Sequence, residues 1–360
     1  MESNKNNNII IENNNNLIDL IVFEFFSGIG GMHEALNLNN NINIIEIYPF
    51  DINQNANITY KYNFNKTPFN ISLESFSSND YENFFKKIKN PYKILWTLSP
   101  PCQPFTRQGN QKGLEDNRSK AFINLMNILE NTSYLPDYLL LENVKNFENS
   151  KATEILIEIL NKKNYDYIQF LINSKEFNVP NSRLRYYIIA NKNKKFKNNN
   201  KNVIVENWNE FNNINNKTIP TIKEYLNYSP MIESELKDFY ISKNILSKES
   251  SIAMDIVTLN DNSTICFTKN YTKLMKGSGS ILLIGDDNNN EEKKDLISLF
   301  GKLRYFTPKE ILKFLNFNEN FGFPKEITIK SQYKLLGNSI NVKVVENIFK
   351  YLFNNNNYIN

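Results

Sequence analysis

Between residues 17 and 190, short apolar runs alternate with stretches whose apolar positions recur every three or four residues. Runs at 17–26, 42–47, 94–98, 138–141, 167–172 and 186–190 are dominated by Ile, Leu, Val, Phe and Tyr, broken only by single polar residues such as Asp19, Glu24, Asn43, Glu46, Thr97 and Gln169, the pattern of strands covered on both faces. Between them Ala121, Phe122, Leu125, Met126 and Leu129, then Ile155, Leu156, Ile159 and Leu160, fall on single helical faces. This alternation predicts an α/β fold, a mostly parallel sheet with helices on both faces. After Ala190 the pattern changes to lysines set among asparagines, which reads as a boundary. Residues 203–300 show weak periodicity and are expected to form a smaller second domain. Regular structure returns at Thr307-Pro308-Lys309-Glu310, a capping box with proline at the first helical position. A last helix is expected over 341–353 on the stripe Val344, Val345, Ile348, Phe349 and Leu352. No internal repeat is evident. The expected division is a tail at 1–16, a discontinuous main domain at 17–195 and 302–354, and a small second domain at 196–301.

Composition narrows the chemistry. With 42 basic and 38 acidic residues the net charge is only +4, so any nucleic-acid contact must come from a local patch. Two cysteines, Cys102 and Cys266, exclude a disulfide framework and a four-cysteine zinc site. A single histidine, His33, excludes histidine-rich metal sites and argues against a histidine triad. No stretch is long and apolar enough for a membrane span, and the Asn-rich start lacks the apolar core of a signal peptide. A reduced cytoplasmic or nuclear protein is expected. The 66 asparagines gather in runs such as 13–16, 198–200, 288–290 and 354–357, which are expected to be loops or tails burying nothing.

Four segments could carry chemistry. Gly28, Gly30 and Gly31, between a strand and a helix, suit close backbone approach to a nucleotide-like ligand, and Asp51 at the next strand end suits ribose hydroxyls. The spacing is G-x-G-G, which weakens a dinucleotide reading but not a nucleoside one; a tight turn beside an incidental acid fits equally. In Ser99-Pro100-Pro101-Cys102-Gln103-Pro104-Phe105 three prolines frame one thiol on a rigid loop. A thiol acts as a nucleophile only as thiolate, and Arg107, Arg183, Arg185 or backbone amides could assist it. Glu142 ends the buried run 138–141, where desolvation would raise its pKa and let it donate a proton. Arg183 and Arg185, two apart, share one face of an extended chain and suit a phosphate, carboxylate or carbonyl-rich ligand. Taken singly, the last two segments also read as a surface glutamate and a solvated strand edge.

Together, and in this order, these segments resemble the cytosine-5 methyltransferase family. Phe26-Ser27-Gly28-Ile29-Gly30-Gly31 resembles its S-adenosylmethionine motif, Pro100-Pro101-Cys102-Gln103 its nucleophile loop, Glu142-Asn143-Val144 its cytosine-binding motif and Arg183-Leu184-Arg185 its paired-arginine motif. Gly337-Asn338-Ser339-Ile340 resembles the closing motif. Within that family Cys266-Phe267-Thr268 with Tyr271, together with Leu303-Arg304-Tyr305-Phe306-Thr307-Pro308, is similar to the branch that methylates transfer RNA. The resemblance covers residues 17–352. It implies a Rossmann-like sheet binding S-adenosylmethionine through Phe26, Ser27, Gly28, Gly30, Gly31, Asp51, Leu73, Glu74, Pro100, Asn338 and Ser339. It further implies a small domain in which Cys266, Phe267, Thr268 and Tyr271 serve recognition, with Lys192, Lys194, Lys195 and Lys197 as candidates for phosphates.

The resemblance implies that Cys102 adds to C6 of a cytosine held by Glu142, with arginines near the base carbonyl and no metal. Its expected target is position 38 in the anticodon loop of aspartate transfer RNA, modified by a monomer. A DNA cytosine-5 methyltransferase is the alternative. A non-catalytic nucleic-acid-binding module would leave Cys102, Glu142, Arg183 and Arg185 without purpose, and a nicotinamide dehydrogenase gives the proline-framed cysteine no role.

Overall fold

A computed structural model of the chain describes residues 17–88, 91–101, 119–198, 203–212, 218–227, 234–285 and 296–359. Its centre is a seven-stranded sheet built from β1 (Ile18–Phe25), β2 (Ile42–Phe50), β3 (Lys93–Leu98), β4 (Tyr138–Val144), β5 (Asp166–Asn173), β6 (Leu184–Asn191) and β7 (Ile204–Val205). The order is β2-β1-β3-β4-β6-β5-β7. The helices are α1 (Gly31–Asn37), α2 (Gln54–Phe64), α3 (Ser78–Asn83), α4 (Lys120–Asn131), α5 (Lys151–Lys162), α6 (Trp208–Phe211), α7 (Ile222–Leu226), α8 (Lys243–Leu246), α9 (Pro308–Phe314), α10 (Ile329–Asn338) and α11 (Val342–Leu352). A second sheet holds β8 (Asp255–Thr258), β9 (Ser280–Leu283) and β10 (Leu303–Tyr305), with β9 parallel to β8 and antiparallel to β10.

Alternate residues of the large sheet divide between two cores, as the two-residue period of a strand requires. Leu20, Val22, Leu140 and Ile189 face α1, α11 and the small sheet. Ile21, Phe23, Leu139, Leu141 and Ile188 face α4, α5 and an aromatic cluster that includes Phe50, Phe76, Tyr81 and Phe85. That two-sided burial explains why the strands read as predominantly apolar runs rather than as a strict alternation. The Thr307 capping box closes as expected, with Glu310 N–H donating to Thr307 Oγ1 at 3.1 Å and Thr307 N–H to Glu310 Oε2 at 2.7 Å.

The sheet is less uniformly parallel than expected. β6 runs antiparallel to both β4 and β5, because only the short connection 174–183 joins β5 to β6, too little chain for a parallel crossover. The reversal carries the residues that begin β6 to the carboxyl end of β4, where Val144 pairs with Arg185. Within 196–301, Ile204 and Val205 add a seventh strand to the large sheet beside β5. Trp208 packs on Phe170 with ring centroids 5.5 Å apart.

The asparagines do work that glycine does elsewhere. Of eight non-glycine residues with positive φ among the described residues, six are Asn65, Asn146, Asn164, Asn178, Asn227 and Asn316, the side chain that best tolerates the left-handed region. Asn53, Asn173, Asn207 and Asn341 cap helix starts through their side chains. The run 354–357 buries none of its own residues, as expected, but it forms a short 3-10 turn that is tied down: Asn357 Nδ2 donates to Tyr351 O at 2.9 Å and its carbonyl accepts Lys197 N–H at 2.9 Å. Buried Tyr358 stacks on Phe196 at 4.9 Å and anchors it.

Candidate active site

A cavity of about 400 Å³ opens at the carboxyl ends of β1 to β4. β1 lies between β2 and β3, so the chain reverses its direction of winding there, the place where open α/β sheets bind ligands. Phe26, Gly28, Asp51, Leu73, Glu74, Pro100, Glu142, Arg183, Arg185, Asn338 and Ser339 all line this one space. Residues far apart in sequence meet because most end or follow β1 to β4 or α10, Arg183 and Arg185 stand at the start of the antiparallel β6, and Leu73 and Glu74 come from the segment between α2 and α3.

The glycine turn divides its labour. Gly28, at φ 53°, has open space where a side chain would begin, and its N–H donates to Asp51 Oδ2 at 2.8 Å. Asp51 Oδ1 accepts the Asn53 N–H at 2.8 Å, which fixes the carboxylate at the rim, and burial raises its pKa against these bonds. Gly30 and Gly31 lie outside the lining and serve packing: a Cβ would stand 2.3 Å from Phe64 Cε2 at the first and 2.5 Å from Ile340 Cγ1 at the second. Ser27 also lies behind the turn, its N–H bonded to Phe50 O at 3.0 Å. Phe26 adopts φ 59°, a conformation costing about 1–3 kcal/mol in a bulky residue and typical of ligand sites.

Glu142 and the paired arginines form the opposite wall. Glu142 is buried, and desolvation raises its pKa while Arg185 and Arg183 oppose the rise. Arg185 Nε lies 3.4 Å from Glu142 Oε1. Arg183 acts as a bracket: Nη1 donates to Cys266 Sγ at 3.2 Å and Phe267 O at 3.3 Å, and Nη2 to the carbonyls of Gly337 and Ser339. Its Nε is buried with no hydrogen-bond partner. Asn143 Nδ2 donates to Pro100 O at 3.1 Å, tying the ends of β3 and β4 together. Pro101 lines the cavity. Cys102, Gln103 and Arg107 lie outside the described residues.

The recognition residues separate by role. Phe267 and Tyr271 are core, with rings 5.0 Å apart and the Tyr271 hydroxyl donating to Ser280 O at 2.7 Å. Thr268 N–H donates to Ser278 O at 2.8 Å. Cys266 faces the arginines. Lys192 and Lys195 are not brought to the cavity. Glu142 pairs with Tyr187 and Tyr138 with Asn191, so at about 3.3 Å per residue Lys192 lies about 16 Å along the strand toward the other end of the sheet. There Lys192 sits over the Tyr165 ring at 5.7 Å, and Lys195 O accepts the Ile359 N–H. A run of lysines in sequence says nothing about which sheet end it occupies. Lys269 and Ile52, by contrast, line the cavity and escaped the sequence reading. Their only signals are adjacency, Lys269 to Cys266-Phe267-Thr268 and an apolar Ile52, 70% exposed, to Asp51.

A nucleoside carrying a charged side chain fits these donors. Gly28 offers an open backbone cradle, Asp51 a rim carboxylate for hydroxyls, and Ser99 Oγ in the lining is buried without a partner. Among the described residues no group of three His, Cys, Asp or Glu side chains could hold a metal ion.

Known proteins of the same kind are numerous. The family model described as "C-5 cytosine-specific DNA methylase" matches residues 20–354. A "tRNA (cytosine(38)-C(5))-methyltransferase" of Schizosaccharomyces pombe is 38% identical, covering 92% of this chain and 96% of its own. A protein of the same description from Homo sapiens is 33% identical over 93% and 99%. A "DNA (cytosine-5)-methyltransferase" of Dictyostelium discoideum is 36% identical over 94% and 95%. Among solved structures, the Entamoeba histolytica methyltransferase EhMeth superposes with a TM-score of 0.79 at 32% identity, covering 94% of this chain and 98% of that one. The S. pombe Dnmt2 methyltransferase follows at 0.77 and 36%, covering 93% and 98%.

Proposed function

Because this chain belongs to the C-5 cytosine-specific DNA methylase family, we propose that it methylates C5 of a cytosine in transfer RNA, at position 38 of the anticodon loop of aspartate transfer RNA. The observation that carries this reading is the buried Glu142 carboxyl paired with Arg185 across the cavity from the Gly28–Asp51 cradle. The cradle side suits S-adenosylmethionine, with Gly28, Asp51, Leu73 and Asn338 as its holders. When bound it supplies an electrophilic methyl group on a sulfonium. The relatives described as acting on position 38 of transfer RNA favour the polymer.

The protein's part in the chemistry follows from the wall. Glu142, whose pKa burial raises, gives its proton to N3 of the ring as the Cys102 thiolate forms a bond to C6, and the displaced electron pair makes C5 nucleophilic. Arg183 Nε, still unpartnered, suits the base carbonyl. Once C5 carries the methyl group, loss of its proton and cleavage of the S–C6 bond restore the aromatic ring. A base enters this pocket only by leaving its stack, at about a few kcal/mol, least in a loop. Lys269, beside the arginines, is better placed for a neighbouring phosphate than Lys192 or Lys195.

The D. discoideum relative favours the second reading, methylation of DNA by the same residues. Purified protein is incubated with methyl-labelled S-adenosylmethionine and, separately, unmodified aspartate transfer RNA and cytosine-containing duplex DNA, with Cys102→Ala as control. Label in the RNA that is lost in the variant supports the first reading. Comparable label in DNA moves the second ahead, and label in neither overturns both.

A further inference from the structure

Cys266 is more than a recognition mark. Its sulfur accepts from Arg183 Nη1 at 3.2 Å and stands 3.6 Å from Arg185 Nη2, while Arg185 Nε reaches Glu142 Oε1 at 3.4 Å. Two guanidinium groups thus lie between two acidic groups. Every described charged or titratable neighbour bears on the balance. β4 supplies Glu142, and the stretch beginning β6 supplies Arg183, Arg185 and Tyr187; Lys269, three residues after Cys266, lines the same cavity, and residues 337–339 supply backbone carbonyls. A second anion on the arginines takes up positive charge that would otherwise act wholly on Glu142.

We propose that Cys266 is a positioning residue that serves as a thiolate counter-charge to Arg183 and Arg185 and thereby lets Glu142 keep its proton. The inference rests on the reading of Glu142 as the group that protonates the base. Burial pushes the Cys266 thiol up, but the charges of Arg183 and Arg185 outweigh it and hold it below the usual thiol value. If both Cys266 and Glu142 were neutral, the buried cluster would carry two uncompensated cations, a costly arrangement. With Cys266 ionised, one negative charge is present without drawing the proton from Glu142.

The chain has two cysteines, so the Cys102→Ala protein carries Cys266 alone. Its titration is read directly from pH-dependent alkylation and thiolate ultraviolet absorbance, without substrate. A midpoint below that of a free thiol is expected; one at or above it overturns the proposal. The second arm compares pH–rate profiles of the parent, Cys266→Ser and Cys266→Asp on whichever polymer accepts the methyl group, after checking that each binds S-adenosylmethionine with parental affinity. Without the counter-charge Glu142 ionises at lower pH, so the alkaline limb in Cys266→Ser moves down. A shift of about one unit means about a tenfold loss above the limb and none below it. Cys266→Asp restores the limb. A Cys266→Ser profile that superposes on the parent's, or a uniform loss at all pH values, overturns the proposal. Should the parent methylate neither polymer, the proposed function fails and with it the link to Glu142, while the titration still decides the thiolate.

Discussion

Gly337→Ala sets two opposing effects against each other. Gly337 lies in the last turn of α10, where alanine is favoured over glycine by up to about 1 kcal/mol. A Cβ there, however, would stand 2.1 Å from both Lys269 N and Thr268 C, and 2.5 Å from Thr268 O. Ordinary carbon contacts are about 3.5 Å, so the 268–269 backbone must retreat by more than about 1 Å. It is poorly free to do so. Thr268 N–H is bonded to Ser278 O, Phe267 is buried, and Arg183 ties Cys266 to the Gly337 carbonyl itself. Overpacking costs about 1–3 kcal/mol, and a 2.1 Å contact with backbone belongs in the upper part of that range, about 2–3; less a helix gain of about 1 kcal/mol, the variant should be about 1–2 kcal/mol less stable. Because the displaced backbone carries Lys269 and adjoins the arginine pair, activity should fall about 100-fold. Urea unfolding gives the first quantity and initial rates of methyl transfer the second. A variant as stable as the parent, with unchanged kcat, would show that the contact relaxes freely and that the 266–269 segment does not set the geometry of the site.

Buried Glu24 is pushed up to about 8 by desolvation, against the hydrogen bonds from Tyr60 and His33, and His33, desolvated beside Lys66, is held down at about 4. For Glu24 the folded state binds the extra proton, so stability falls as pH rises from about 4.5 towards 8. For His33 stability falls as pH drops below about 6.5. Above pH 6.5 only the first effect remains, so Glu24→Gln should gain on the parent by about 2 kcal/mol between pH 6.5 and 8; urea melts showing a constant gap would refute this. Glu310→Gln strips the carboxylate from fully buried Arg304, bonded at 2.8 and 2.9 Å, and should cost about 3–5 kcal/mol; a thermal midpoint equal to the parent's would refute it. Lys192→Ala with Lys195→Ala should leave methylation kinetics unchanged, and a large rise in KM for the polymer would bring that end of the sheet back into the interface.

Much of the large sheet could be read without coordinates, since a strand covered on both faces is apolar along most of its length and the central strands are, with buried Glu24 an exception in β1. The capping box at Thr307 and the glycine turn before α1 were likewise local facts, governed by residues within a few positions of one another. Asparagine, set aside as loop filler, could have been read further: its side chain caps helices and its backbone tolerates positive φ, and it does both here. What the chain alone could not settle was every feature that depends on which strand lies beside which. The reversed β6 turns Arg183 and Arg185 towards the carboxyl end of β4 and leaves Lys192 and Lys195 at the far end. Residues alike in charge and near in sequence were thereby separated by the full length of β6. The split of the glycines into one that faces the cavity and two that pack on Phe64 and Ile340 follows from contacts more than 30 residues away. The meeting of Cys266 with the arginine pair spans more than 80 residues. Hydrogen bonds of that range are set by the packing of whole elements, so only the tertiary structure decided them.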